Sequence, residues 1–104
     1  MSFIAVYITH GTENAAQKIT DYLLQKKLIA CANIFPINSM YWWQEKIAQD
    51  KEWVSIVKTI PENWDLLQRE VEAIHPYSVP CIMKIEVSAN TAYEAWIRQE
   101  VQTS

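Results

Sequence analysis

Between Ala30 and Ile47 the chain reads ACANIFPINSMYWWQEKI, 18 residues with almost no break in strand-forming types. This run limits the possible folds more than any other. At ~3.3 Å per residue, a straight strand of that length spans ~60 Å. A chain of 104 residues makes a globule with a radius of gyration of about 13 Å, so a diameter on the order of 35 Å. Pro36 cannot donate to a ladder and should interrupt the strand. Even with a bend there, the ribbon overshoots its own body. Tyr41, Trp42 and Trp43 are consecutive, and neighbours in a strand point to opposite faces. The overshooting part is therefore apolar on both sides. A monomer seldom leaves a patch of that kind open. We expect further copies of the chain to cover it, with Tyr41, Trp42, Trp43 and Trp53 at the seam.

The ribbon reads as a hairpin. Met40 to Ile47 forms one arm and Glu52 to Lys58 the other, with AQDK (Ala48 to Lys51) as a polar turn. Phe3 to Thr9, FIAVYIT, is a short continuous apolar run suited to a central strand buried on both faces. Glu13 to Lys27 is helix-like, with Thr12 as N-cap and Ala16, Ile19 and Leu23 on its apolar face. A second helix follows in IPENWDLLQREVEAI, where Trp64, Leu67, Val71 and Ile74 share one face; His75-Pro76 ends it. CIMKIEV, Cys81 to Val87, alternates as a strand. Thr91 and Glu94 fit a capping box that opens a last helix carrying Trp96, Ile97 and Val101. The order β-α-β-β-α-β plus a C-terminal helix predicts an α+β, ferredoxin-like sandwich in a single domain over residues 1–104.

Composition excludes several functions. Net charge is −3, a poor lure for nucleic acid or anionic lipid. RNA-binding domains of this topology carry a basic, aromatic run that Phe3 and Tyr7 do not supply. No segment approaches the ~20 apolar residues of a membrane span. MSFIAVYITH has no basic region before its apolar run, so we expect no secretory leader and a cytoplasmic protein with reduced thiols. The single glycine, Gly11, rules out a glycine-rich phosphate loop. The acidic side chains mostly fall on polar helix faces or turns, where they serve solvation.

The candidate ligating residues are His10, Cys31, His75 and Cys81, and no pair has metal spacing. His75 sits where a helix ends, so its ring can meet free carbonyls or, alternatively, a metal. Cys31 lies between Ala30 and Ala32 and reads as a small core hydrophobe. Cys81 follows HPYSVP, within loop reach of His75. A Cys–His pair would suit Cu(I) or zinc, although core packing is the alternative for Cys81 too.

The blocks LIACANIFP, SMYWWQEKIAQDKEWVSIVKT, HPYSVP and NTAYEAWI, in this order across nearly the whole chain, closely resemble the CutA family. The family pattern runs roughly A-C-V-N-I-x-P, S-x-Y-x-W-x-G-K-I, I-K-T, H-P-Y-x-V-P and G-N-x-x-Y-x-x-W-I. The resemblance implies a homotrimer of ferredoxin-like subunits joined through long hairpins, similar in form to PII signalling trimers. It implies a role in tolerance of divalent cations, copper among them, with no established catalytic reaction. The chain departs from the pattern at Glu45, where the family has Gly, and at Cys81, where it usually has Glu. Ligands proposed for some members are a first-strand Cys and two adjacent His. Ile8 and Ile74 stand at two of those positions here, and only His75 remains. The resemblance also places His75, Tyr77, Tyr93 and Trp96 near a cleft between subunits. The expected function is thus a non-enzymatic trimer tied to metal tolerance, with His75 and Cys81 as metal candidates. The alternative is a PII-like small-molecule sensor with no metal role.

Overall fold

The computed structural model describes residues 3–101. Strand β1 (Phe3–His10) leads through helix α1 (Glu13–Gln25) to β2 (Cys31–Trp43) and β3 (Lys46–Thr59). A short 3₁₀ turn (Pro61–Asn63) opens helix α2 (Trp64–Ile74), followed by β4 (Ile82–Val87) and helix α3 (Thr91–Glu100). The four strands form one antiparallel sheet in the order β2-β3-β1-β4. This is the expected α+β sandwich.

Alternation along β1 fixes the two faces. Ile4, Val6 and Ile8 point to the side on which Ile19 and Leu23 of α1 and Leu67 and Val71 of α2 close the main core. Phe3 faces the other way and joins Ile60, Ile97 and Val101 in a second cluster under α3. The Thr12 hydroxyl accepts from the Ala15 N–H at 3.0 Å, so the expected N-cap forms. Helix α1 ends at Gln25 rather than Lys27, because Lys27 takes a left-handed φ of 60° that no helix continues. The N-cap of α3 is Asn90, not Thr91, and the Glu94 carboxylate instead accepts from the Ala89 N–H at 2.9 Å.

Two features of the ribbon differ from expectation. Pro36 does not interrupt it: β2 runs unbroken through Pro36, which lies opposite Trp53. The reason is position, since β2 is an edge strand and half of an edge strand's N–H groups have no neighbour to serve. The turn is also not AQDK. Ala48 to Lys51 lie inside β3, paired with Tyr41 back to Asn38. The chain reverses at Gln44-Glu45, with φ of 49° and 65°, between the paired residues Trp43 and Lys46. Positive φ at both central residues is the type I′ geometry, whose twist matches that of the flanking strands.

The arms are therefore longer than the sequence suggested. The molecule measures 45 × 25 × 21 Å. At the far end of the ribbon Trp42 is 73% exposed, Met40 68%, Ile47 61% and Trp43 60%. Trp42 pairs with Ile47 on one face, while Tyr41 and Trp43, paired with Ala48 and Lys46, occupy the other.

Left-handed backbone costs a non-glycine residue ~1–2 kcal/mol. Glu45→Gly should relieve that at φ 65° and stabilise the fold by about 1 kcal/mol. Guanidinium unfolding checks this, and an unchanged or lower midpoint would count against the turn assignment.

Candidate functional site

The C-terminal end of β1 meets the loop after α2, and the base of the hairpin lies beside both. His75 caps α2 after its backbone N–H bonds the Val71 carbonyl at 2.8 Å. Its ring is held twice. The Tyr77 backbone N–H donates to Nδ1 at 3.1 Å, which leaves the proton on Nε2, and Nε2 donates to the Thr9 carbonyl at 2.7 Å. His10 stacks on this ring with centroids 5.5 Å apart. It is fully buried, and its Nε2 pairs with the Ser55 hydroxyl at 2.8 Å. On the other side Tyr77 meets the His75 ring edge-on at 4.8 Å, and its hydroxyl donates to the Glu52 carboxylate at 2.8 Å. Gly11 permits this close approach, because a Cβ there would lie 3.2 Å from the Tyr77 oxygen. The result is a continuous column: Ser55, His10, His75, Tyr77, Glu52.

Beside the column lies an open-sided cavity of about 430 Å³. Tyr41 and Trp43 of β2, Glu52 of β3, Thr9 of β1, and Tyr77, Ser78, Val79 and Cys81 of the connecting segment line it. The Tyr41 hydroxyl donates to Asp50, the neighbouring carboxylate on β3. The field here is negative. Burial, then the Glu52 hydrogen bond, pushes the Tyr77 phenol well above its usual range. Burial and the Glu52 charge push the Cys81 thiol up. The hydrogen bond to Asp50 raises Tyr41.

The structure brings only part of the sequence-predicted set together. Cys81, Tyr77, Tyr41 and Trp43 share the cavity, and His75 lies behind Tyr77. Tyr93 and Trp96 sit elsewhere in the chain. Tyr93 packs on Phe3 at 5.8 Å, at the opposite end of β1, and Trp96 lies against Tyr93 at 5.9 Å. The Tyr93 hydroxyl meets the Cys31 sulfur at 3.2 Å, which with burial holds its pKa up at about 12. A cleft containing all four expected residues would have to draw them from two chains. Trp53 is half-buried beside His10 and Pro36, and Trp42 lies farther out along the same face of the hairpin. Glu52 and Asp50, read from sequence as solvating charges, are the functional surprise. No short spacing links Glu52 to Tyr77, so only the folded chain reveals the pair.

As arranged, these residues do not build a metal centre within one chain. Both His75 nitrogens serve backbone groups, and a raised thiol pKa keeps Cys81 protonated, whereas metals take the thiolate. Among the described residues no group of three or more His, Cys, Asp or Glu side chains is placed to hold a metal ion. Nor is any thiol or hydroxyl here activated as a nucleophile. Cys81 is held in the wrong protonation state, and Ser55 is buried against a His10 whose pKa is pushed down to about 4.

That depression makes His10 a stability sensor. Burial is its main cause, with the neighbouring His75 ring second, partly offset by Glu52. The unfolded chain takes up the proton near the ordinary 6.5 while the fold refuses it down to about 4. Stability is therefore complete above pH 6.5 and falls by as much as ~3 kcal/mol as pH drops toward 4. His10→Gln should flatten the melting temperature over that window; an unchanged slope in the variant would contradict the assignment.

Known proteins share this fold. The family model described as "CutA1 divalent ion tolerance protein" matches residues 4–100. A divalent-cation tolerance protein CutA of Thermotoga maritima is 44% identical over 99 residues, covering 94% of this chain and 98% of the relative. The solved structure of CutA1 from Oryza sativa superposes with a TM-score of 0.96 at 33% identity, covering 100% of this chain and 97% of that one. That of the CutA of Archaeoglobus fulgidus, described as periplasmic, superposes with a TM-score of 0.93 at 40% identity, covering 96% and 99%. Matched by that family model over residues 4–100 and by such relatives over nearly its whole length, the chain belongs to the CutA1 divalent ion tolerance family.

Proposed function

We propose that the chain works as a non-enzymatic homotrimer in the cellular response to divalent cations, copper among them, and that it meets the ion through groups brought together between subunits. The observation that carries this reading is the hairpin. Its end leaves Met40, Trp42, Trp43 and Ile47 more than half exposed on two faces of one ribbon, an arrangement that a second and third copy can bury. The far face of the sheet adds Met83 at 49% and Ile85 at 44% exposure. Covering one tryptophan removes ~150–250 Å² from water, roughly 4–6 kcal/mol before entropy costs. Family membership supports the tolerance role. Both cysteines are free thiols, which suits the cytoplasm.

Calorimetric titration with Cu(II), Cu(I) and Zn(II) tests the metal role. Saturable heat should appear in the wild type. No heat with any of the three ions would overturn it. Trp42→Glu or Trp53→Glu should give smaller species or aggregate on a sizing column; identical elution of both variants and wild type would remove the seam.

A second reading is favoured by the cavity beside Tyr77. It has the ~300–1,000 Å³ size usual for small-ligand sites, which supports a PII-like sensor of small molecules.

A further inference from the structure

We infer that, in the assembled protein, the Lys58 ammonium of one copy is met by the Asp50 carboxylate of the next, across the open face of the sheet. The inference rests on the homotrimer reading and names one contact at its seam. Side-chain alternation divides the sheet into two faces. Helices α1 and α2 close one of them over Ile4, Val6 and Ile8. The other carries Tyr7, with Ile56 opposite it on β3 and Met83 opposite it on β4. Helix α3 covers the end of that face where Phe3 and Val87 lie. Beyond it Met83 and Ile85 are 49% and 44% exposed, so the face is apolar and half open.

Among the described strand residues, every charge on this face lies on β3: Lys58, Glu52, Asp50 and Lys46, from the inner end to the tip. Lys58 is half-buried in a neutral setting. Cys31 and Ala5 stand opposite it on the two neighbouring strands, and Ile85 lies beyond Ala5. Its ammonium donates to the Asn33 side-chain carbonyl, which accepts a hydrogen bond but offsets no charge. The acids are in the mirror situation. Tyr77 donates to Glu52 and Tyr41 to Asp50, and neither phenol is a cation. Among the described residues the ion pairs are Lys26–Glu70 and Arg98–Glu62, and none of these three groups belongs to either. From Lys58 to Asp50 along β3 is ~27 Å at ~3.4 Å per residue. No side chain bridges that distance within one chain.

Covering this face with another copy takes Lys58 out of water, and a buried ammonium without a counter-charge is strongly unfavourable. The covering copy brings the remedy itself. Asp50 shares a face with Tyr41 and Trp43, the aromatics exposed on the overshooting ribbon. The segment that reaches a neighbour is therefore the segment that carries the acid. Glu52, on the same face but half-buried under Tyr77, adds to the negative field. Lys46, opposite Trp43 at the exposed tip, has water around it and needs no partner. The contact is heterologous, with Lys58 from the body of one copy and Asp50 from the ribbon of another. Contacts of this kind close into rings where the rotation allows, and one such pair per seam suits three copies.

Lys58→Glu combined with Asp50→Lys swaps the two charges and leaves the net charge unchanged. Seams between swapped copies again set opposite charges together, whereas a seam between swapped and wild-type copies sets like against like. Full-length wild type and swapped protein, co-expressed in one host with distinguishable tags, are analysed by native mass spectrometry. They should sort into separate trimers, with hybrids at least about tenfold below their statistical share. Lys58→Glu alone and Asp50→Lys alone should each assemble poorly, and mixing the two should restore trimers. Hybrids in their statistical share, a swapped protein that does not trimerise, or a mixture of the single variants that restores nothing would each overturn the pair while the homotrimer stands. A monomeric wild type would overturn both.

Discussion

The register of β2 against β3 is the constraint on which the rest of the molecule depends. It runs from Cys31 opposite Lys58 to Trp43 opposite Lys46 without a slip. Because side chains alternate strictly, this one choice sorts the ribbon's aromatics. Trp42 and Ile47 go to one face, Tyr41 and Trp43 to the other. It also sets Tyr41 and Trp43 on the face that carries Glu52, which the pairing of β3 with β1 holds where the loop after α2 delivers Tyr77. A shift of β2 by one residue would turn Tyr41 and Trp43 away from the face that carries Glu52 and put Trp42 there instead. Assembly surface and cavity are therefore two consequences of one ladder.

Much of this was legible in the residues. The length of the strand-forming run forced an overshoot, and the structure has one, with a long axis nearly twice the other two. The apolar faces of α1 and α2 were readable because helical spacing repeats. The turn was misplaced for a physical reason. AQDK is polar and looks like a loop, yet polarity is also what an exposed ribbon tolerates within a strand. Gln44-Glu45 carries no glycine or asparagine to announce positive φ. The one hint there is the resembled family pattern, which has glycine where this chain has Glu45. Pro36 misled in the same way, since the penalty for a missing N–H depends on edge or centre, which a lone sequence does not declare.

The candidate site shows a different limit. His75 and Cys81 drew attention as soft ligands, yet the structure spends His75 on organising backbone. It bridges the end of β1 to the start of the loop and gives His10 a stacking partner. Its neighbours Tyr77 and Glu52 then shape the cavity wall. Such a chain of contacts spans residues far apart in sequence, so spacing could not reveal it. Tyr93 and Trp96 were grouped with this site by resemblance alone, and within one chain they belong to the packing around Phe3.

The account stands or falls on whether the ribbon is completed by other copies. Multi-angle light scattering on the full-length protein at micromolar concentration measures this directly. Three chains of 12.1 kDa should give a mass of about 36 kDa. A mass near 12.1 kDa, with tryptophan fluorescence shielded from an added quencher, would contradict the account, because the ribbon would then have buried its own aromatics.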